Sequence, residues 1–197
     1  MAVPTNASAF EKPHWLLLAK GFNWSQLNTY FSARGGMVER NGGIENPNRT
    51  SLYIGTYYYR FVDLTAKPDN QQGGGWWLDT DQLMKIMVAC PSRGLNLSQM
   101  ARAFLAVPWE WNHADGIVQA VVRKPLDAYE GRGRPVRPGK TYVGVSPIDA
   151  GGNYPGNPDV IQLFIPDMKS VWKDALSHVS VQPVYEFAKG YRNFIRV

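Results

Sequence analysis

Aromatic and β-branched residues dominate the chain from Leu52 to Val62, and this run contains no proline. Residues of these types favour extended backbone, so the run predicts a β-strand. One charged residue, Arg60, interrupts the apolar pattern between Tyr59 and Phe61. A guanidinium at that position either faces solvent on the polar side of the strand or holds an anion in a cleft.

Two stretches with helical periodicity follow this strand. Asp79 with Gln82 resembles a capping box, and it introduces a helix that is expected to end at Pro91. A second helix is expected to begin at Asn96 or Ser98. Apolar side chains recur at helical spacing after each cap, which is typical of helices that pack on a core.

Short apolar stretches separated by turn residues indicate a β-rich second half. The 160–166 strand carries Gln162, and Asp167 is expected to cap a helix after it. Before this strand, a basic loop is expected at 124–140 and a turn-rich loop at 149–159. The predicted strands cover residues 117–122, 141–145, 160–166, 179–187 and 191–197.

The order of these elements predicts an α+β fold. Strands and helices do not alternate regularly enough for a doubly wound sheet, and neither a dinucleotide-binding G-x-G-x-x-G nor a Walker loop is present. Near the N-terminus, Asn23 is expected to cap a helix that ends at Gly35 and Gly36, and residues 35–50 form a polar boundary. We therefore expect an N-terminal arm and helical segment over residues 1–49, followed by an α+β domain of catalytic type over residues 50–197.

Composition limits the class of protein further. A chain of 197 residues with 44% hydrophobic residues can bury a substantial core. Its net charge of +5 suits a nucleic acid, an anionic ligand or an acidic partner. Cys90 is the single cysteine, so no internal disulfide forms, and no Cys/His cluster has the spacing of zinc ligands. We accordingly expect no metal.

The N-terminal sequence lacks the basic and apolar regions of an export signal, and no apolar stretch has the length of a membrane span. We expect a protein made in the cytoplasm, with no membrane partner. Secretion into a target cell would then need a route that does not depend on a signal peptide.

Two further groups of side chains suit ligand binding. Trp76 and Trp77 follow three glycines, a pattern that often marks the close approach of a ligand or of another backbone segment. Tryptophans here and at 109 and 111 could stack a sugar or a base, or they could pack in the core. The basic loop could contact phosphates or remain solvated; its basic residues are Arg132, Arg134, Arg137 and Lys140.

The order of these features resembles the ADP-ribosyltransferase-like superfamily of NAD-consuming bacterial toxins. Arg60 on the first predicted strand is followed by the glycine–aromatic segment 74–77, by PLDAYEG at 125–131 and by GNYPGNPDVIQ at 152–162. Residues 121–165 look similar to the tuberculosis necrotizing toxin group of NAD glycohydrolases. The chain has no Glu-x-Glu pair and no clear Ser-Thr-Ser strand.

This resemblance implies split antiparallel sheets with short flanking helices, and an enzyme that consumes NAD as its substrate. The nicotinamide–ribose bond would be cleaved by hydrolysis or by ADP-ribosyl transfer, without a metal. Arg60 would grip the NAD, together with Gly75 and with Trp76 or Trp77. The resemblance also implies a late residue that acts at the ribose, for which the candidates are Gln162, Glu130 and Glu186.

The same resemblance makes a target protein or a cognate inhibitor protein the expected macromolecular partner. Two hypotheses of other classes remain open. One is a basic, aromatic-rich nucleic-acid-binding protein without catalytic activity. The other is a structural or interaction protein whose aromatic strand forms core or interface.

Overall fold

The computed structural model describes residues 2–24, 26–27, 40–139 and 154–195. The strands in this part of the chain are β1 (Ile44–Ser51), β2 (Tyr57–Val62), β3 (Trp76–Asp79), β4 (Gly116–Val122), β5 (Asp127–Gly133), β6 (Ile161–Phe164) and β7 (Leu176–Pro183). The helices are α1 (Pro13–Ala19), α2 (Pro68–Gln72), α3 (Thr80–Arg93), α4 (Leu97–Leu105), α5 (Met168–Ala175) and α6 (Val184–Ile195).

The strands form one antiparallel sheet in the order β1-β5-β6-β3-β2-β4-β7. The helices and this sheet confirm the predicted α+β class. The central strand β3 is short, and it pairs through only two residue pairs with β2 and two with β6. The two halves of the sheet are therefore joined by few hydrogen bonds. No helix among the described residues has both the length and the apolar character needed to cross a bilayer.

Alternation along β2 assigns its side chains to two faces of the sheet. Tyr59 and Phe61 pack in the core beneath α3, α4 and α6, whereas Tyr58 and Val62 pack in the core beneath α5. Arg60 has the parity of Tyr58 and Val62, so its side chain leaves the strand on the α5 face. The predicted strand therefore carries its charge on a packed face of the sheet.

The side-chain caps predicted at Asp79 and Asn96 are present, whereas Asp167 precedes α5 without a capping hydrogen bond to its side chain. The backbone N–H of Gln82 donates to Asp79 Oδ1 at 2.8 Å, and Asn96 forms a reciprocal capping box with Gln99. The prediction that the first helix ends at Pro91 was wrong, because α3 continues for two more residues and closes on Gly94 with φ +62°. A proline in the last turn removes one backbone donor without preventing that left-handed cap.

The N-terminal half of the sheet differs from its prediction. The first predicted strand begins at Tyr57 rather than Leu52, and the polar boundary contains β1. The predicted 124–140 loop contains β5, which pairs with β1. β1 lies at the edge of the sheet, is largely exposed and includes Pro47. Edge strands tolerate proline and polar residues, so the apolar pattern that identifies a buried strand is missing from β1.

Of the two strands predicted at the C-terminus, the first is confirmed only over residues 179–183, which belong to β7, and the second was wrong. The chain leaves β7 at Pro183 and then forms α6. Val184 and Phe187 are buried and Tyr191 packs against them, a spacing that fits one face of a helix. The predicted 141–145 strand, and most of the helix expected after Asn23, lie outside the described residues.

The N-terminal segment packs closely on the sheet. Asn6 is 1% exposed, and its Nδ2 donates to the carbonyls of Asp127 at 2.8 Å and Pro166 at 3.2 Å. The backbone N–H of Asp127 donates back to Asn6 Oδ1 at 3.1 Å. Further along, α1 contributes Ala19 to a small core with Ile44 of β1. The described residues from Asn6 to Ala19 therefore form a wall against β5 and β6, called the N-terminal wall below.

Replacing Asn6 with alanine is expected to lower the free energy of unfolding by about 1–3 kcal/mol, because buried backbone groups of two strand ends lose their partner. Urea denaturation followed by tryptophan fluorescence measures this. Asn48→Ala, at an exposed position of β1, is the control and should change stability by less than about 0.5 kcal/mol. Equal effects of the two substitutions would show that Asn6 does not hold the segment in place.

Candidate functional site

A cavity of about 770 Å³ lies beside β3, and its lining includes residues of the N-terminal wall, of the end of α4 and of the start of α5. This volume is typical of a small-molecule site. The structure brings five of the seven predicted site residues to its lining, and these are Arg60, Gly75, Trp76, Trp77 and Gln162. Residues separated by about a hundred positions in sequence therefore meet in one cavity.

Arg60 is half-buried against the cavity wall. Its Nε donates to the carbonyl of Gln71 and its Nη1 to the carbonyl of Trp76, both at 3.0 Å. No carboxylate pairs with it among the described residues. Burial lowers the pKa of Arg60 to about 10, so the guanidinium is still charged at neutral pH. The Nη2 group keeps its donors for a ligand.

Gly74 permits this position of the guanidinium. A methyl group added at Gly74 would overlap Nη2, the central carbon and Nε of Arg60. A methyl group at the neighbouring Gly75 would lie 2.9 Å from the Phe164 ring and 3.1 Å from the Ile165 carbonyl oxygen. The Gly75 carbonyl accepts from the Ile165 N–H at 2.7 Å. The glycines before Trp76 therefore serve close approach, as the sequence pattern indicated.

Gln162 enters the cavity from β6 and is 7% exposed. Its Nε2 donates to the carbonyl of Leu105 at 3.3 Å, and no described residue donates to its Oε1. The amide oxygen is thus left as an acceptor. A methyl group at Gly133, on the neighbouring β5, would overlap Nε2, so this amide also rests against a glycine.

The two adjacent tryptophans have different environments. Trp77 is 2% exposed, and its Nε1 donates to the carbonyl of Gly74 at 2.7 Å. Trp76 is half-buried, and its ring centroid lies 5.0 Å from that of Phe164. Trp77 is mainly a core residue that fixes the glycine segment, whereas Trp76 offers an aromatic wall.

The charge of the cavity has one sign. Three basic residues line it, Arg60, Arg102 and Lys169, and no aspartate or glutamate belongs to its described lining. Arg102 lies on α4, is 2% exposed, and places its guanidinium carbon 4.8 Å from the centroid of the Trp109 ring. Sequence reasoning missed Arg102, because a charged residue that flanks an apolar helical stripe is expected to face solvent. Such a cavity suits an anionic ligand.

The two candidate glutamates lie elsewhere. Glu130 is on β5 opposite Leu163, and Glu186 is exposed on α6, where the hydroxyl of Tyr185 donates to it at 2.9 Å. Neither lines the cavity. In the basic loop, Arg132 is exposed on β5, Arg137 bonds through its backbone to the Asn41 side chain, and Lys140 lies outside the described residues.

A cluster of possible metal-ligating side chains lies outside this cavity lining, and the spacing of its residues in the sequence did not reveal it. Asp63, His113 and Asp115 place one ligand atom each within 4.8 Å of one another, an arrangement that could hold a metal ion. His113 Nδ1 is 3.0 Å from Asp63 Oδ2, and its ring stacks on Trp109 with centroids 4.2 Å apart. A hydrogen bond from the Thr65 hydroxyl holds the pKa of Asp63 below its usual value.

No protein-family model and no curated protein matches the chain. Among solved structures, it is similar to a chain of the structure of Rhs1-CT in complex with cognate immunity protein RhsI1. The TM-score is 0.44 at 13% sequence identity, over 72% of this chain and 83% of that one. A similarity of this size assigns neither a family nor an activity to the chain.

Proposed function

We propose that the chain is an NAD-consuming enzyme that cleaves the nicotinamide–ribose bond in the cavity beside β3. The observation that carries this proposal is the arrangement around Arg60. A charged guanidinium without a carboxylate partner among the described residues faces a cavity that also holds Gln162 and an aromatic wall. Removing a cation from water without a counter-charge is unfavourable, so the site favours an anionic ligand.

The pyrophosphate of NAD would satisfy Arg60. A guanidinium is planar and permanently charged at neutral pH, and its forked donors match phosphate oxygens. Two of its nitrogens already donate to Gln71 and Trp76, which fixes its plane before a ligand arrives. Arg102 and Lys169 add to the positive potential of the cavity. Binding energy at the pyrophosphate would then hold the ribose in position for cleavage.

Gln162 and Trp76 would act at the reacting end. As the bond breaks, its electron pair leaves on the nicotinamide nitrogen and positive charge develops at the anomeric carbon of the ribose. The Gln162 amide oxygen would accept from a ribose hydroxyl and stabilise that charge, while Trp76 packs against the nicotinamide ring. Attack by water gives ADP-ribose, nicotinamide and one proton. Attack by a side chain of a target protein gives the transfer product.

The sequence resemblance to NAD-consuming bacterial toxins extends this proposal to the biological setting. A bacterial effector that depletes NAD, or transfers ADP-ribose from it, would inhibit the growth of cells that express it. It would also need a cognate inhibitor protein in the cell that makes it. Growth arrest on induced expression, relieved by Arg60→Ala, is the corresponding cellular expectation.

Incubation of the purified protein with NAD tests the activity itself. Chromatography with mass detection should show nicotinamide appearing at the rate at which NAD disappears, with ADP-ribose as the second product of hydrolysis. Addition of a bacterial lysate would reveal transfer as a mass increase on a protein. Intact NAD after long incubation, both alone and with lysate, would contradict the proposal.

A further inference from the structure

Two tryptophans at the cavity are largely exposed to solvent. Trp24 is 58% exposed and Trp111 is 53% exposed, and both belong to the lining. The deeper residues of the same cavity are covered, as shown by Gln162 at 7% and Trp77 at 2%. Large indoles are normally buried on folding, and exposed aromatic rings at a cavity mouth are typical of ligand contacts.

The two exposed rings flank one junction of the chain. Gly21, three residues before Trp24, packs against the backbone of Gly42 and Gly43. A methyl group at Gly42 would lie 3.9 Å from the Trp111 ring. Trp24 is held from the α1 side by His14 at 5.3 Å and Trp15 at 5.7 Å between ring centroids. Ring contacts thus hold Trp24 in place, and Trp111 lies beside the Gly42 end of the same junction, with both residues in the cavity lining.

We propose that Trp24 and Trp111 form a stacking subsite for the adenine ring of the dinucleotide, an assignment that rests on the proposed function. The reacting end occupies the covered interior at Gln162, so the other end of the same ligand reaches the mouth. Stacking on an indole face is available to any planar base. The nearby Asn41 and Asn112 side chains already form hydrogen bonds to protein backbone atoms. They therefore do not recognise the hydrogen-bonding edge of the base.

This subsite predicts a difference between two substrates. Nicotinamide mononucleotide contains the scissile bond but no adenine, whereas NAD contains both. Trp24→Ala and Trp111→Ala should each raise the KM for NAD by about 5- to 100-fold with little change in kcat. The KM for nicotinamide mononucleotide should stay unchanged. Tyr53→Ala removes a 77% exposed aromatic ring outside the cavity lining, and it should alter neither substrate.

Steady-state kinetics of the variants on both substrates test the subsite, with thermal denaturation as a check on folding. Equal rises in KM for the two substrates, or no rise for NAD, would overturn it. Calorimetric titration with ADP distinguishes failure of the subsite from failure of the cleavage reaction. If NAD is not cleaved, ADP binding that weakens 5-fold or more in the tryptophan variants still supports stacking, whereas absent or unchanged ADP binding overturns it.

Discussion

Replacing Arg60 with alanine is expected to lower kcat/KM for NAD cleavage by a factor of about 10²–10³, the loss found when one preorganised charge-stabilising donor is removed. The guanidinium is charged, its plane is fixed by two carbonyls, and it faces the cavity. Alanine removes the donors that would hold the pyrophosphate. The release of nicotinamide, measured over a range of NAD concentrations, gives both kcat and KM.

Arg123 offers a matched control for this substitution. Like Arg60, it donates to two backbone carbonyls, those of Asp174 at 2.8 Å and Lys173 at 3.0 Å. It is half exposed and lies outside the cavity lining. Arg123→Ala should retain full activity. Arg60→Lys should keep part of the wild-type activity, because lysine retains the positive charge but lacks the forked donors of the guanidinium. Normal cleavage by a folded Arg60→Ala protein would show that Arg60 does not hold the substrate.

Gly74→Ala is expected to lower kcat/KM almost as much as Arg60→Ala, although it removes no polar group. The added methyl group would overlap the guanidinium, so Arg60 must leave its position between the two carbonyls. Overpacking of this kind also lowers the free energy of unfolding by about 1–3 kcal/mol. Kinetics and urea denaturation measure the two effects separately.

A double substitution separates a steric effect through Arg60 from a general loss of structure. If Gly74→Ala acts through Arg60, adding it to Arg60→Ala should lower the activity little further, because the two losses share one cause. Gly190→Ala is the control glycine, since open space surrounds it on α6 and alanine favours a helix. Multiplied losses in the double variant would contradict the proposed role of Gly74.

The elements that could be predicted from sequence are those whose own residues carry the physical signal. β4 is apolar apart from Gln119, and α4 begins with a side-chain cap that needs only residues three positions apart. β1 and β5 could not be recognised in this way, because their extended structure depends on pairing with distant residues: β1 pairs with β5, and β5 also pairs with β6. The C-terminal helix was mistaken for strands because Val184 and Phe187 fit an apolar strand as readily as a helix face.

The residues of the candidate site also differ in whether their own sequence context carries a signal. Arg60 stood out because a charge within an apolar strand needs a reason, and the glycines before Trp76 indicated close approach. The N-terminal wall, the rim tryptophan at Trp24 and the buried Arg102 were missed as site residues. Their role depends on how distant segments pack around one cavity, which local sequence patterns do not encode.

The most direct measurement is a crystal structure of the protein with ADP-ribose, the product that retains the pyrophosphate. A nitrogen of Arg60 should lie within hydrogen-bond distance of a phosphate oxygen, about 2.7–3.2 Å, with the terminal ribose beside Gln162. ADP-ribose bound outside the cavity beside β3, or bound within it without contact to Arg60, would contradict the proposed NAD site.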